Sequence, residues 1–274
     1  MKSASFEYVR PGTIAEACSA LAQDGAVAIA GGQSLLPMLN LRVAIVDLVV
    51  DIGRLDALKA ARETPAGLEI GALVTHAAIE DGKVPDPFAG LLRHVAGQIS
   101  YRAVRNHGTI GGSLALADPA ADWPACLMAL DASVKIDGRD GTRSEPVAKF
   151  LRGAYTTSLA PGEIITGVEL PRPQQPLRWG FAKVARKSGA FANSIAIATS
   201  QGRGGSASVV LGAAGPRPCR LGNVEKRLAA AVNEEALRAA IAVDIVKEVP
   251  TADAYEQRLH AANVWHAVRE LQRR

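Results

Sequence analysis

The sequence predicts an α+β chain in two parts, and three observations predict it. The first part alternates short apolar strand-like runs with helical ones. The segment PRPQQP, residues 171–176, places three prolines where neither a helix nor a strand ladder continues easily. Beyond it, runs of strands precede runs of helices. Alternation followed by segregation is the pattern of an α+β architecture.

The elements follow in order. FEYVRP reads as a short strand. Thr13 caps the helix IAEACSALAQ, and Glu16 three residues on completes a predicted capping box. That helix stops at Asp24-Gly25, and AVAIA is a buried strand leading into AIAGGQSLLPMLNLR, residues 28–42. IVDLVVDIG and LEIGALV are strand-like, and PFAGLLRHVAGQI is helical. RNHGTIGGSLALADPAADWPACLMALDA begins as a glycine-rich loop and becomes helical after Pro124. SVKID and EIITGVELP read as strands. After the prolines, FAKVAR, NSIAIATS and ASVVLGAA read as antiparallel strands with turns at KSG and QGRGG. NVEKRLAAAV, NEEALRAAIAV and DAYEQRLHAANVWHAVRELQRR are helical.

Composition narrows the function. The 274 residues are 48% hydrophobic and 21% charged, an ordinary globular balance, with aromatics at only 4%. The net charge of +4 is spread along the chain, so no nucleic-acid partner is expected, since that would need a clustered basic face. Cys18, Cys126 and Cys219 are isolated and no CxxC occurs, so this chain builds neither a zinc site nor an iron–sulfur cluster, and no metal is expected. Three lone thiols fit a reducing compartment. No apolar signal core or membrane-length run is read, and the expected location is cytoplasmic.

Two double glycines, Gly31-Gly32 and Gly111-Gly112, each precede a hydroxyl residue, Ser34 or Ser113. Such loops are either tight turns or nests of backbone N–H groups suited to phosphate oxygens. No GxxxxGK[ST] occurs. GRGGSA matches a dinucleotide fingerprint through Gly202, Gly204 and Ala207, but a strand-like run follows it where the fingerprint needs a helix, so it is read as a hairpin turn.

AGGQSLLPMLNLR and RNHGTIGGSLALADPAADWPA together resemble the two FAD-binding signatures of the flavoprotein (medium) subunits of molybdenum hydroxylases, the xanthine dehydrogenase and aerobic carbon monoxide dehydrogenase type. The resemblance extends through SLAPGEIITGVELP and FAKVAR to the helical C-terminus. It implies a PCMH-type FAD-binding domain of two subdomains at residues 1–176. A small C-terminal domain of antiparallel sheet plus helices follows at 177–274. It implies FAD as cofactor, with Ala30, Gly31, Gly32, Gln33, Ser34 and Leu35 in the first loop and Thr109, Gly111, Gly112 and Ser113 in the second. Relatives often carry Asn where this chain has Ser113. Asp122 matches an aspartate that binds cofactor hydroxyls; on residues alone it is equally a helix N-cap. Ile164 and Ile165 match a position against the isoalloxazine and otherwise read as strand core. Lys183 matches a lysine near the flavin and otherwise reads as solvent-facing. Asp118 reads as a turn residue before Pro119, and His76 and His107 as ordinary loop or capping histidines. Phe191 and Asn193 occupy a stretch where relatives often carry an acidic residue or an aromatic.

The resemblance also implies partners: a large molybdopterin-binding subunit and a small [2Fe-2S] subunit, in heterotrimers paired into a dimer. The chain is expected to relay electrons from those clusters to an external acceptor. The rival readings are a self-sufficient FAD-dependent oxidoreductase and a scaffold subunit that has lost FAD.

Overall fold

The computed structural model describes residues 2–202, 205–230 and 233–274. The elements run β1 (Glu7–Val9), α1 (Ile14–Leu21), β2 (Ala26–Ile29), α2 (Leu35–Asn40), β3 (Leu48–Asp51), β4 (Ala61–Thr64) and β5 (Gly67–Gly71). Four helices follow with no strand between them: α3 (His76–Glu80), α4 (Leu91–Gln98), α5 (Arg102–Arg105) and α6 (Ile110–Leu116). Then come α7 (Asp122–Ala129), β6 (Ser133–Gly138), β7 (Gly141–Pro146), α8 (Val147–Phe150), β8 (Leu151–Gly153), β9 (Thr156–Thr157) and β10 (Ile164–Pro171). The last part holds β11 (Leu177–Ala185), β12 (Ala192–Gln201), β13 (Ala207–Gly212), β14 (Cys219–Arg220), α9 (Gly222–Ala229), α10 (Glu234–Glu248) and α11 (Ala254–Arg273).

Three larger sheets, beside the two-stranded pair β8-β9, organise these elements. A parallel sheet, β1-β3-β2, packs Leu48 and Val50 against Ala17, Cys18 and Leu21 of α1. An antiparallel sheet, β4-β5-β10-β6-β7, carries the largest core, in which Trp123, Phe88 and Phe150 are fully buried. The third sheet, β11-β12-β13-β14, is covered on both faces. Side chains alternate along β12, so Ile195 and Ile197 join the main core while Ala196 and Ala198 join a second core with α10 and α11. Burial on both faces explains why NSIAIATS reads as a nearly unbroken apolar run. The predicted α+β class is what the molecule shows. Among the described residues no helix is long and apolar enough to cross a membrane.

Local details depart from the sequence reading. Thr13 does accept from the Glu16 backbone N–H, but the Glu16 carboxylate accepts from Gly12, so the box is half formed; a complete one caps α11 through Asp253 and Glu256. Gly111-Gly112 is not a loop but the first turn of α6, because the Thr109 hydroxyl accepts the Gly112 N–H and starts the helix there. α7 begins at Asp122, ahead of Pro124, since a first-turn proline lacks only an N–H that the helix would leave unused. The turn read at GRGG includes Arg203 and Gly204, which lie outside the described residues, as do Ala231 and Val232 of the predicted NVEKRLAAAV helix.

Candidate functional site

The two glycine segments meet. A Cβ added to Gly31 would overlap the backbone carbonyl of His107 and lie 3.1 Å from Gly108 Cα, so only glycine allows this contact. Gly32 adopts φ +68°, the left-handed turn that carries the chain from β2 towards α2. Gln33 donates its side-chain N–H to Gly31 O at 3.0 Å, bracing the turn. Ala30 and Leu35 are half-buried; Ser34 is exposed at the N-cap of α2 and its side chain makes no cap bond.

The second segment is held from behind. Ile110 N–H donates to Val74 O, Gly111 N–H to Ala72 O, and Ala72 N–H to Thr166 O of β10. Gly111 lies so close to Ala72 that an added Cβ would sit 2.9 Å from its Cα. Gly111 is therefore a packing glycine. Gly112 and Ser113 are half-buried, and Thr109 is buried. Upstream, Arg102 and Arg105 pair with Glu80 and Asp81, and Arg105 also donates to the carbonyls of Ile99 and Ser100. This fixes α5 and the approach to Gly108.

Behind the second segment, Asp122 and Lys183 form a buried ion pair, Nζ to Oδ2 2.9 Å, with side chains 6% and 9% exposed. Lys183 also donates to Gln98 O at 3.1 Å. Read from residues alone, Lys183 faces solvent and Asp122 is an N-cap. Neither holds: the main core draws this face of β11 inward, and Ala121 takes the cap position. Asp122 Oδ1 is buried with no hydrogen-bond partner. Burial pushes the Asp122 carboxyl up to about 6 against the opposing pull of Lys183. Ile165 and Ile164 are both buried in β10, Ile165 in the main core and Ile164 in the core of the first lobe.

His76 is neither a loop nor a capping histidine, since Thr75 takes the N-cap. It opens α3, is 5% exposed, and accepts the indole N–H of Trp123 at Nδ1, 3.0 Å away. Its backbone N–H donates to Gly108 O, and its ring lies against Gly108. Trp123 follows Asp122 directly, so His76 connects the carboxylate's helix to the second glycine segment. The spacing of His76 and Trp123 gave no signal of this contact, which comes from tertiary packing. His107 is exposed, and Asp118 caps its own turn by accepting from Ala120. Phe191 and Asn193 are exposed beside the end of the β11–β12 hairpin.

Burial, then Arg105, drives the His76 imidazole down to about 4 from 6.5. The unfolded chain thus binds the His76 proton first, and stability is lost as pH falls from 6.5 towards 4, by about 3 kcal/mol in full. Asp122 acts oppositely: its raised value makes the folded state bind the proton more tightly, so its contribution is lost as pH rises from 3.8 through about 6. The two largely offset in the native protein. His76→Gln is expected to gain stability on acidification from pH ~7 to ~5, and Asp122→Asn to lose it, read by urea unfolding at each pH. Parallel pH profiles for the two variants would contradict these assignments.

A family described as the FAD binding domain in molybdopterin dehydrogenase matches residues 4–173, well over half of the chain. The chain belongs to this family. The nicotine 6-hydroxylase medium subunit of Paenarthrobacter nicotinovorans is 35% identical over 218 residues, 78% of this chain and 76% of that one. The carbon monoxide dehydrogenase medium chain of Hydrogenophaga pseudoflava is 35% identical over 191 residues, 69% of this chain and 67% of that one. The solved structure of reconstituted CO dehydrogenase from Oligotropha carboxidovorans superposes with a TM-score of 0.92 at 30% identity, covering 100% of both chains. The protein is accordingly an FAD-binding medium subunit of the molybdenum hydroxylase class, an oxidoreductase component with FAD as its cofactor.

Proposed function

We propose that this chain is the electron-relay subunit of a molybdenum-containing hydroxylase or dehydrogenase, and that FAD lies in the cleft between its two glycine segments. The observation that carries the placement is Asp122 Oδ1, a buried carboxylate oxygen with no partner, which a hydroxyl donor of the cofactor's sugar would satisfy. The turn at Gly32 and the close approach of Gly31 to His107 fit a diphosphate cradle built from backbone amides.

In this reading Ala30, Gly31, Gly32, Gln33, Ser34 and Leu35 would line one side of the diphosphate, and Gly112 and Ser113, with Thr109 capping their helix, the other. Gly111 contributes through its packing on Ala72, which sets the height of the segment. Asp122 would accept hydroxyls of the cofactor, and Ile165 would supply apolar packing for the isoalloxazine from the edge of the main core. Lys183 has three N–H donors; Asp122 and Gln98 occupy two, leaving one for the cofactor. When bound, FAD supplies the redox chemistry that accepts and passes on electrons. The chain's own part is to bind and orient it and to keep water from the Asp122–Lys183 pair.

Electrons would enter from the [2Fe-2S] clusters of a small partner and leave to an external acceptor, while a large molybdopterin-binding partner handles the substrate. The names "medium subunit" and "medium chain" of the relatives support companion chains. We take the assembly to be a dimer of heterotrimers, and residues 1–176 and 177–274 to be its FAD-binding and C-terminal domains. The free thiols Cys18, Cys126 and Cys219 support a cytoplasmic setting.

The purified chain is expected to take up one FAD non-covalently. Acid precipitation should release all the yellow colour to the supernatant. Colour retained in the pellet would mean a covalent link, and a chain that cannot be reconstituted with FAD would overturn the reading.

A further inference from the structure

We propose that Ser194, His260 and Asn263, buried on the far side of the third sheet, form a positioning device that sets Lys183 against Asp122. The inference rests on reading that ion pair as part of the flavin site.

Ser194 on β12 lies opposite Val184, and Lys183 lies opposite Ile195. On α11, Asn263 donates Nδ2–H to Ser194 Oγ at 3.0 Å and to Ala182 O at 3.2 Å. One amide nitrogen carries two hydrogens, so both bonds are made at once. The residues on either side of Lys183 are thus both tied to α11: Ala182 through its carbonyl, and Val184 through its cross-strand partner. His260 lies three residues before Asn263 on the same helix face and meets Ser194 Oγ through Nδ1 at 3.0 Å. Ser194 Oγ accepts from Asn263 and keeps both a hydrogen and a second lone pair for His260 Nδ1, so the three side chains close on one oxygen in either tautomer of the ring. Burial shifts the His260 ring down, towards its neutral form, against the opposing pull of Glu256. All three side chains are 4% exposed or less.

The location gives the trio its purpose. The register of β11 and β12 shifts between Val184 and Ala185, one residue beyond Lys183. A bulge twists the strand and re-aims the side chains next to it. Lys183 must nevertheless reach Asp122 and Gln98 across the core boundary, at 2.9 and 3.1 Å. Three polar side chains beside a largely apolar core cost desolvation that alanine or leucine would not. Satisfied as they are, they fix one geometry. A device acting only on global stability would have no reason to bracket Lys183.

A double-mutant cycle on the full-length chain separates the two roles. FAD affinity is read by flavin fluorescence titration, and folding of each apo-protein by near-UV circular dichroism. Ser194→Ala removes the shared hydroxyl with little change in volume; Asn263→Ala removes both amide bonds. Each is expected to weaken FAD binding about five- to tenfold with Lys183 present, and less than about twofold in a Lys183→Met background. Equal losses in both backgrounds would overturn the proposal, as would no loss with Lys183 present. Lys183→Met alone tests the underlying reading: unchanged affinity there would remove Lys183 from the flavin site and the proposal with it.

Discussion

Replacing Gly31 with alanine is expected to leave a protein that folds but binds FAD about tenfold to a hundredfold more weakly. The new methyl would overlap the carbonyl of His107, and both sides of that contact are backbone. Overpacking of this kind costs about 1–3 kcal/mol. The cheapest relief is to part the two glycine segments, since each is anchored to a different sheet: Gly31 follows β2, and Gly108 is bound to the segment after β5. If that cost falls on the cleft, FAD affinity drops about tenfold to a hundredfold. Gly112→Val is the companion test, because its new Cβ meets only the Thr109 hydroxyl, at 2.9 Å. Its fold should survive while its side chain enters the cradle. Titration with FAD, beside circular dichroism of the apo-proteins, reads both. Native affinity in Gly31→Ala would show that the two segments do not act as one cradle.

The second large effect is on stability. Asp122→Ala leaves Lys183 buried and unpaired and is expected to cost about 3–5 kcal/mol. Lys183→Met leaves the carboxylate without its cation and is expected to cost a similar amount, relieved as pH falls and Asp122 takes up a proton. The double variant Asp122→Leu/Lys183→Met removes both charges and should regain most of the native stability while losing FAD. Urea unfolding gives the first quantity and flavin titration the second. Additive losses in the double variant would mean that the two groups are not coupled.

Much of this was legible in the sequence, for physical reasons. Gly31-Gly32 marked a backbone turn, PRPQQP marked the link between β10 and β11, and Thr13 marked a helix start. What escaped was set by tertiary contacts. Gly111 and Gly112 looked like loop residues because glycine disfavours helices, yet the Thr109 cap and the fit against Ala72 put them inside one. Lysine is seldom buried, so Lys183 reads as solvent-facing; Asp122 and the Gln98 carbonyl, both distant in sequence, make its burial tolerable. His76 and Trp123 stand far apart in the chain, with no local pattern linking them. The family resemblance suggests cofactor roles for Asp122 and Lys183 that periodicity does not.

We propose that this chain takes its electrons from a cluster-bearing partner rather than from a substrate of its own. The direct measurement is anaerobic rapid mixing of the FAD-loaded chain with the separately purified [2Fe-2S] subunit of its own complex, reduced beforehand with a chemical reductant and freed of excess. The flavin's visible absorbance should bleach as the clusters reoxidise, and the oxidised partner should leave it unchanged. The organic substrate of the assembled complex, mixed with the isolated chain, should leave it unchanged as well. A flavin that ignores the reduced partner, or that the substrate alone reduces at a turnover-competent rate, would contradict the account.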